Sequence, residues 1–230
     1  MEFKNKKVIF FDMDGTLVDS IQDLSNSINY MLNTLNRKQF KQETINLWVG
    51  NGGPTLVKRA LSGSVNIDKN LNQELFNKAL NIFFDHYSSN LGVHTTVYPD
   101  VKTTLIKLRN MGYKLAIITN KPVAFVGPML KNLDIDNLFD TFLGGDSLEK
   151  RKPDAMPLLY LCNYFKIDKN EAVMIGDSNN DILAAQSAKI DNIGVSYGYN
   201  YDEDISVYNP TIVVHKFKDI LPILGYKDAN

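Results

Sequence analysis

Two carboxylates, Asp12 and Asp14, directly follow the apolar run 8–11. The run predicts a strand that is buried on both faces, as in the middle of a parallel sheet. Because side chains alternate along a strand, both carboxylates point to the same side, and Gly15 allows the sharp turn that follows. Carboxylates held together repel each other, and a bound cation or a shared proton relieves the repulsion. Both remedies serve catalysis, so the pair is a candidate catalytic site.

Two more predicted strands end in polar side chains. The run 114–118 leads into Thr119 and Asn120, and the run 172–175 leads towards Asp177. In open parallel sheets, ligands bind beyond the carboxyl ends of the strands. An ordinary Asp-Gly turn would explain the first strand end alone, whereas three polar strand ends together favour a functional site.

Asp181 adds another carboxylate one helical turn after Asp177, on the same face of the predicted helix. Oxygen ligands without a neighbouring Cys or His favour Mg²⁺ over zinc. Asp177 or Ser178 could instead only cap the helix. Capping is compatible with metal binding, so we expect a Mg²⁺ site that includes these carboxylates.

Lys152 precedes Pro153, which keeps the lysine backbone out of the helical conformation. A lysine near carboxylates and a small hydroxyl indicates an anion site, and phosphate is the most common such anion. Considered alone, Lys152 is predicted to be a solvated lysine in the charged run 149–152. The polar residues at the three strand ends favour the anion site over this alternative.

Helices and strands alternate from Pro99 onward, which predicts a parallel sheet covered by helices on both faces. The predicted strands cover 8–11, 114–118, 141–143, 172–175, 192–195 and 212–214. The stretch between 16 and 93 shows helical periodicity and no convincing strand. Its predicted helices cover 21–35, 43–49, 54–61 and 69–88. In the predicted helix 122–133, Pro128 indicates a kink or an early stop.

We therefore expect an α/β protein with a Rossmann-like, doubly wound parallel sheet and a small all-helical domain inserted after the first strand. The expected boundaries are 1–18 and 93–230 for the core, and 19–92 for the helical insert. A chain of 230 residues is long enough for this arrangement.

The composition narrows the classes of function. The formal net charge of −1 provides no positive field for nucleic acid or an anionic membrane. No apolar run is long enough to span a bilayer, and the first residues show no signal-peptide pattern, so we expect a cytoplasmic protein. The single cysteine, Cys162, excludes an internal disulfide, and its apolar neighbours predict a buried, unreactive thiol. No strand runs into a Gly-x-Gly-x-x-Gly motif, which excludes a dinucleotide-binding oxidoreductase.

In order and spacing, these elements resemble the motifs of the haloacid dehalogenase superfamily. The matching residues are Asp12-Met13-Asp14-Gly15-Thr16, then Thr119, then Lys152, and finally Gly176-Asp177 with Asp181. The helical insert resembles the cap domain of the superfamily's first class. Within the superfamily, the stretches 49–53, 119–122 and 197–200 resemble those of the bacterial phosphoglycolate phosphatases. One departure is Ala155, where that family usually has a proline, and it affects loop stiffness more than chemistry.

The resemblance implies a role for each acidic residue. Asp12 attacks phosphorus and forms an aspartyl-phosphate. Asp14 is the general acid that protonates the leaving group and then the base that activates water. Mg²⁺ is held by the Asp12 carboxylate, the Asp14 backbone carbonyl and Asp177. Asp181 orients metal-bound water or the motif lysine.

The resemblance also implies the phosphate contacts. The Thr119 hydroxyl and the Asn120 N–H bind phosphate oxygens, with Gly15 beside them. Lys152 supplies a positive charge to the phosphoryl group.

The loop 50–53 opens onto a predicted helix, and the backbone N–H groups at such a start form an anion site. The implied substrate, 2-phosphoglycolate, carries a carboxylate that the core motifs do not bind. We therefore predict that this loop, with basic residues of the following helix, meets that carboxylate. The candidate residues are Gly50, Asn51, Gly52, Arg59 and Lys58. The alternative is that the glycines only form a turn and the basic residues are solvated.

The resemblance implies a Mg²⁺-dependent phosphatase that hydrolyses a small phosphorylated metabolite, 2-phosphoglycolate, to glycolate and phosphate. A sugar phosphomutase or a broad-specificity sugar-phosphate phosphatase of the same superfamily stays open, because one fold hosts many substrates. A haloacid dehalogenase is disfavoured, since it has no use for a second acid at Asp14 or for Mg²⁺. A non-catalytic binding module is disfavoured because no motif residue is lost. We expect a monomer or homodimer without nucleic-acid or membrane partners.

Overall fold

The computed structural model describes residues 3–227, and within them one parallel sheet holds six strands. The strands of the protein are β1 (Val8–Phe11), β2 (Val18–Asp19), β3 (Thr96–Val97), β4 (Lys114–Ile118), β5 (Thr141–Leu143), β6 (Ala172–Gly176), β7 (Asp191–Val195) and β8 (Ile212–Val214). The sheet has the order β5-β4-β1-β6-β7-β8, with every neighbouring pair parallel. β1 therefore lies in the interior of the sheet, as its apolar sequence predicts.

The helices of residues 3–227 are α1 (Ile21–Thr34), α2 (Gln42–Asn46), α3 (Gly53–Ser62), α4 (Gln73–Ser89), α5 (Val101–Asn110), α6 (Val123–Asn132), α7 (Met156–Phe165), α8 (Asn179–Ala188) and α9 (Ile220–Ile223). Short 3₁₀ turns lie at Asp136–Leu138, Lys169–Glu171, Ile205–Tyr208 and Phe217–Asp219. None of these helices has the length and apolar character that crossing a bilayer requires.

Alternate residues of β1 pack into two different layers, which is why the strand is apolar throughout. Ile9 and Phe11 pack in a layer with α5 and α6. Val8 and Phe10 pack in another layer with α7 and α8. Cys162 of α7 is buried in the second layer, and burial raises the pKa of its thiol to about 11. The predicted doubly wound α/β fold, with helices on both faces, is confirmed.

The prediction that no strand lies between 16 and 93 is wrong for one short element. β2 (Val18–Asp19) pairs antiparallel with β3 (Thr96–Val97). Two residues are too few to show an alternating pattern, so periodicity does not reveal such a strand. Helices α1 to α4 lie between these two strands in the chain, so the ribbon joins the start and the end of the helical segment. The domain boundaries at 18–19 and 92–93 stay a prediction.

Helix α6 continues through Pro128, so the predicted early stop is wrong. A proline inside a helix costs about 3 kcal/mol. Val126, Met129 and Leu130 of the same helix are buried against the sheet layer. Burying each of these side chains contributes about 1.5–3 kcal/mol, so packing outweighs the lost hydrogen bond.

Candidate active site

The neighbouring strands β1 and β6 bring Asp12 and Asp177 together at their carboxyl ends. Phe11 is in register with Ile175, and the Asp12 N–H donates to the Ile175 carbonyl over 2.9 Å. Asp181, in the first turn of α8, completes a triad in which one carboxylate oxygen of each residue lies within 4.8 Å of the others. The triad is the cluster that the sequence predicts as a metal site.

The triad is difficult to ionise in the absence of a cation. Burial raises the pKa of Asp12 to about 7; the Asp181 charge adds to this shift, and Lys152 opposes it. Burial, with the charges of Asp12 and Asp181, holds the pKa of Asp177 well above its usual range. These raised pKa values indicate that the positive charge of the protein is too small to keep all three carboxylates ionised.

Lys152 provides one positive charge to the triad. Its Nζ lies 2.8 Å from Asp12 Oδ1 and 2.6 Å from Asp181 Oδ1. Burial lowers the pKa of Lys152, but the two carboxylates raise it by more, so the residue stays an ammonium. Three ionised carboxylates and one ammonium leave a net charge of −2, which one divalent cation neutralises. Because all the acidic donor atoms are oxygens, the triad fits Mg²⁺.

Asp177 is oriented by two donors that sequence analysis did not assign. The Thr16 hydroxyl donates to Asp177 Oδ1 over 2.6 Å, and the Tyr199 N–H donates to Oδ2 over 2.6 Å. Both donors reach it across the fold, since the bonds join residues 161 and 22 positions apart. They fix the carboxylate beside the other two acids, as neighbours of a metal ligand do.

Gly15 shapes the turn after β1 and does not offer its N–H to phosphate. That N–H donates to the Val18 carbonyl over 2.9 Å. The residue has φ +90°, and a Cβ there would lie 2.2 Å from Asp177 Oδ2. The predicted turn is confirmed, whereas a phosphate contact through the Gly15 N–H has no support in this geometry.

Gly198 offers a steric test of the site, because its φ lies outside the left-handed region and a Cβ would still lie 2.2 Å from Asp177 Oδ2. We expect Gly198→Ala to displace Asp177 and to lower the free energy of unfolding by about 1–3 kcal/mol. Urea denaturation measures this change. The control is Gly127→Ala in α6, where the nearest atom is a ring carbon of Phe142 at 3.3 Å. Equal stability of the two variants would contradict the close packing around Asp177.

Asp14 lies next to the triad but has its own partners. Its Oδ1 accepts hydrogen bonds from the Ser20 hydroxyl at 2.5 Å and from Lys121 Nζ at 3.0 Å. Its Oδ2 lies 3.1 Å from the same Nζ. Two neighbouring carboxylates in different surroundings are suited to two different tasks, as acid–base catalysis requires.

Thr119 and Asn120 reach the site because β4 ends beside β1. Thr119 Oγ1 accepts the Lys121 N–H over 3.2 Å, so its own proton remains available. The Asn120 side chain donates to the carbonyls of Gly50 and Lys152, both at 3.0 Å. Among residues 3–227, the Asn120 N–H has no acceptor. Thr119 and Asn120 thus hold donors that phosphate can use.

A cavity of about 50 Å³ lies between this end of the sheet and the helical segment. The core contributes Asp12, Asp14, Thr119, Asn120, Lys121, Pro122 and Phe125, and the helical segment contributes Leu24, Val49, Gly50, Gly52, Gly53, Leu56, Phe83, Phe84 and Tyr87. Polar groups therefore lie on the core side, and the helical segment provides a mostly apolar wall. Such a wall strengthens electrostatic interactions inside the cavity.

The loop 50–53 closes one side of the cavity by contacting the core. Asn51 Nδ2 donates to Asn180 Oδ1 over 3.1 Å, and Tyr201 donates to Asn51 Oδ1 over 2.7 Å. A Cβ on Gly52 would lie 2.6 Å from a backbone carbonyl oxygen of the core. Gly50 and Gly52 line the cavity, whereas Asn51 holds the loop against the core.

Arg59 and Lys58 do not line this cavity. The Arg59 guanidinium donates to the carbonyls of Trp48 at 2.7 Å and Val65 at 3.1 Å. Lys58 Nζ lies 4.8 Å from the centre of the Phe76 ring. Both side chains stabilise the helical segment, and these contacts give no support to the prediction that one of them meets a substrate carboxylate.

Lys121 and Tyr87 are cavity residues that sequence analysis did not assign. Lys121 lies in the stretch 119–122, directly after two predicted phosphate-binding residues. A lysine that follows a strand is usually solvated, so the position alone does not indicate a site. Its partner Tyr87 is 34 residues away on α4, and only the fold brings the two together.

A carboxylate centre at the carboxyl edge of a parallel sheet defines the protein as an α/β enzyme. The model of one family, described as haloacid dehalogenase-like hydrolase, matches residues 9–195. The chain belongs to this family, and the predicted superfamily membership is confirmed.

Several relatives are similar over nearly their whole length. A phosphoglycolate phosphatase from Colwellia psychrerythraea is 48% identical over 221 residues, which are 96% of this chain and 98% of the relative. One from Haemophilus influenzae is 41% identical over 219 residues, 95% of this chain and 98% of the relative. The crystal structure of a predicted phosphoglycolate phosphatase from Haemophilus somnus has a TM-score of 0.90 and 39% identity, and the match covers 96% of this chain and 98% of that one.

Proposed function

We propose that the protein is a Mg²⁺-dependent phosphatase that hydrolyses 2-phosphoglycolate to glycolate and phosphate. The observation that carries the proposal is that Asp12 and Asp14, the two carboxylates that follow β1, have different partners. Asp12 belongs to the buried acidic triad with Lys152, whereas Asp14 is paired with Lys121, and both carboxylates line the cavity. This arrangement suits a nucleophile and a separate acid.

In this proposal Asp12 attacks phosphorus and the leaving oxygen departs, which forms an aspartyl-phosphate. Asp14 donates its proton to the leaving oxygen and then accepts a proton from the attacking water. The Thr119 hydroxyl and the Asn120 N–H hold the phosphate oxygens. Lys152 neutralises charge on the phosphoryl group from its position 2.8 Å from Asp12 Oδ1.

Asp12, the Asp14 backbone carbonyl and Asp177 would hold Mg²⁺, which offsets the repulsion between the nucleophile and the phosphate when bound. Asp181 accepts from Lys152 through Oδ1 and from the Ser178 N–H and hydroxyl through Oδ2. Through the Oδ1 contact, Asp181 positions the lysine. The resemblance to the family is what assigns the direct metal contacts to Asp12 and Asp177.

The substrate assignment is supported by the relatives. The relatives named above are phosphoglycolate phosphatases, and they match this chain over nearly its whole length. These observations favour the phosphatase over the phosphomutase and sugar-phosphate alternatives. The cytoplasmic location and the monomeric or homodimeric state stay predictions.

A substrate panel tests the proposal. We expect activity only with Mg²⁺, and a higher kcat/KM for 2-phosphoglycolate than for ethyl phosphate or a hexose phosphate. Chelation with EDTA should lower the rate by about 100-fold or more, because a bound cation contributes several kcal/mol to such a transition state. Added Mg²⁺ should restore the rate.

The variant Asp177→Asn should require more Mg²⁺ for half-maximal activity, since an amide is a weaker ligand than a carboxylate. Asp134→Asn is the matched control, because the Asp134 side chain is 85% exposed and pairs with Lys102 at the surface. Full activity after exhaustive chelation would remove the metal role, and a preference for the hexose phosphate would remove the substrate assignment.

A further inference from the structure

The chemistry proposed above assigns no substrate contact to Lys121, a buried lysine in the cavity wall. Lys121 Nζ lies 3.0 and 3.1 Å from the two Asp14 carboxylate oxygens and 2.6 Å from the Tyr87 hydroxyl. Its side chain is 4% exposed. Burial lowers the pKa of Lys121, but Asp14 and Tyr87 raise it by more, so the side chain remains an ammonium.

Within residues 3–227, Lys121 is the only basic side chain that lines this cavity. Phe83, Phe84 and Phe125 line the same space, and Asp12 and Asp14 contribute carboxylates to it. Lys121 supplies the positive charge that an anion entering this cavity can contact. It is therefore placed to meet a second anion beside the phosphate.

Lys121 lies where the second anion of the proposed substrate, its carboxylate, is expected. Asp14 is the residue that contacts the leaving oxygen, and Lys121 contacts both oxygens of the Asp14 carboxylate. In 2-phosphoglycolate, the carboxylate carbon is two bonds beyond the leaving oxygen. A substrate whose leaving oxygen meets Asp14 thus places its carboxylate next to the immediate neighbours of Asp14.

Tyr87 adds a neutral donor to the same place. Its hydroxyl oxygen accepts from Lys121, and its own proton has no acceptor among the described residues. Burial raises the pKa of Tyr87 to about 12, so the proton is retained. The hydroxyl can therefore donate a hydrogen bond to an anion that also contacts Lys121.

We propose that Lys121 and Tyr87 together bind the carboxylate of the leaving group and make the enzyme selective for phosphate esters of short 2-hydroxy acids. The inference rests on the proposed phosphatase function and deepens it. It assigns to these two side chains the task that sequence analysis gave to Arg59 or Lys58, whose cationic groups have other contacts.

The test compares 2-phosphoglycolate with ethyl phosphate, which keeps the two-carbon leaving group and lacks the carboxylate. We expect Lys121→Met to lower kcat/KM for 2-phosphoglycolate by about 10- to 100-fold more than for ethyl phosphate, mainly through KM. The inhibition constant of inorganic phosphate should stay within about three-fold, since phosphate has no carboxylate to lose. Lys131→Met, at an exposed position of α6, is the matched control.

Tyr87→Phe provides a second measurement that keeps Lys121 and Asp14 in place. It should lower the preference for 2-phosphoglycolate by about 10- to 100-fold, the size of one hydrogen bond to a charged group. If Lys121→Met does not fold, this variant decides the question. Equal losses for both substrates in the folded variants would overturn the inference. A wild-type enzyme without any preference for 2-phosphoglycolate would instead overturn the substrate assignment.

Discussion

The substitution Asp12→Asn is expected to lower kcat by about 10⁴-fold or more, because an amide oxygen is a poor nucleophile and the loss of a nucleophile has an effect of this order. The side chains are nearly the same size, so the carboxyl ends of β1 and β6 should keep their geometry. The measurement is kcat for 2-phosphoglycolate at saturating Mg²⁺. Asp134→Asn, which makes the same chemical change at the surface, should keep wild-type activity.

A measurement of stability distinguishes a loss of activity in Asp12→Asn from a loss of folded protein. Burial raises the pKa of Asp12 from 3.8 to about 7, so the metal-free protein loses stability as the pH rises from about 3.8, and the loss is complete above about 7. Asn carries no charge at any pH. The Asp12→Asn variant should therefore be at least as stable as the wild type in EDTA at pH 8, as measured by urea denaturation.

The covalent intermediate gives a third readout of the same variant. Acid quenching during turnover of labelled substrate should trap phosphate on the wild-type chain and on no residue of Asp12→Asn. A folded Asp12→Asn variant that retains comparable activity, or that still becomes labelled, would remove the nucleophile role from Asp12. Another residue at the site would then have to be the nucleophile that attacks phosphorus.

Most residues of the candidate site could be predicted from the sequence because they lie at the ends of predictable strands. The apolar run 8–11 identifies β1, and the two carboxylates that follow it need no knowledge of the tertiary fold. Asp177 and Thr119 follow strands of the same kind. The parallel topology then dictates that these ends meet at one edge of the sheet.

Other parts of the site depend on contacts between residues distant in sequence. Lys121 is 107 residues from Asp14 and 34 from Tyr87, so no local pattern marks the three as one cluster. Arg59 carries a positive charge and lies on the helix that follows the glycine-rich loop 50–53, as expected of an anion-binding residue. It donates to two backbone carbonyls of its own segment, and no spacing rule reveals such a contact. The charge of a side chain indicates that it can bind an anion, whereas the tertiary fold determines whether the side chain lines the cavity.

The second large effect is expected for Asp14→Asn, and it should depend on the leaving group. An alkoxide such as that of glycolate needs a proton to leave, whereas a phenolate with an electron-withdrawing group leaves without one. We expect kcat/KM for 2-phosphoglycolate to fall by about 10²- to 10⁴-fold, the usual contribution of general acid catalysis. For an activated aryl phosphate, kcat/KM should fall far less.

The comparison is made on kcat/KM because it reports the steps up to phosphoryl transfer to Asp12. Turnover at saturation also includes hydrolysis of the aspartyl-phosphate, in which Asp14 acts as the base, so kcat should fall for both substrates. With the aryl phosphate, this variant should therefore release a burst of phenolate and then stall as the phosphorylated enzyme. The amide oxygen of the substituted side chain can still accept hydrogen bonds from Ser20 and Lys121, whose bonds to Asp14 are 2.5 and 3.0 Å long. Equal losses of kcat/KM for both substrates would show that Asp14 does not protonate the leaving group, and the separation of the two β1 carboxylates would then need a different explanation.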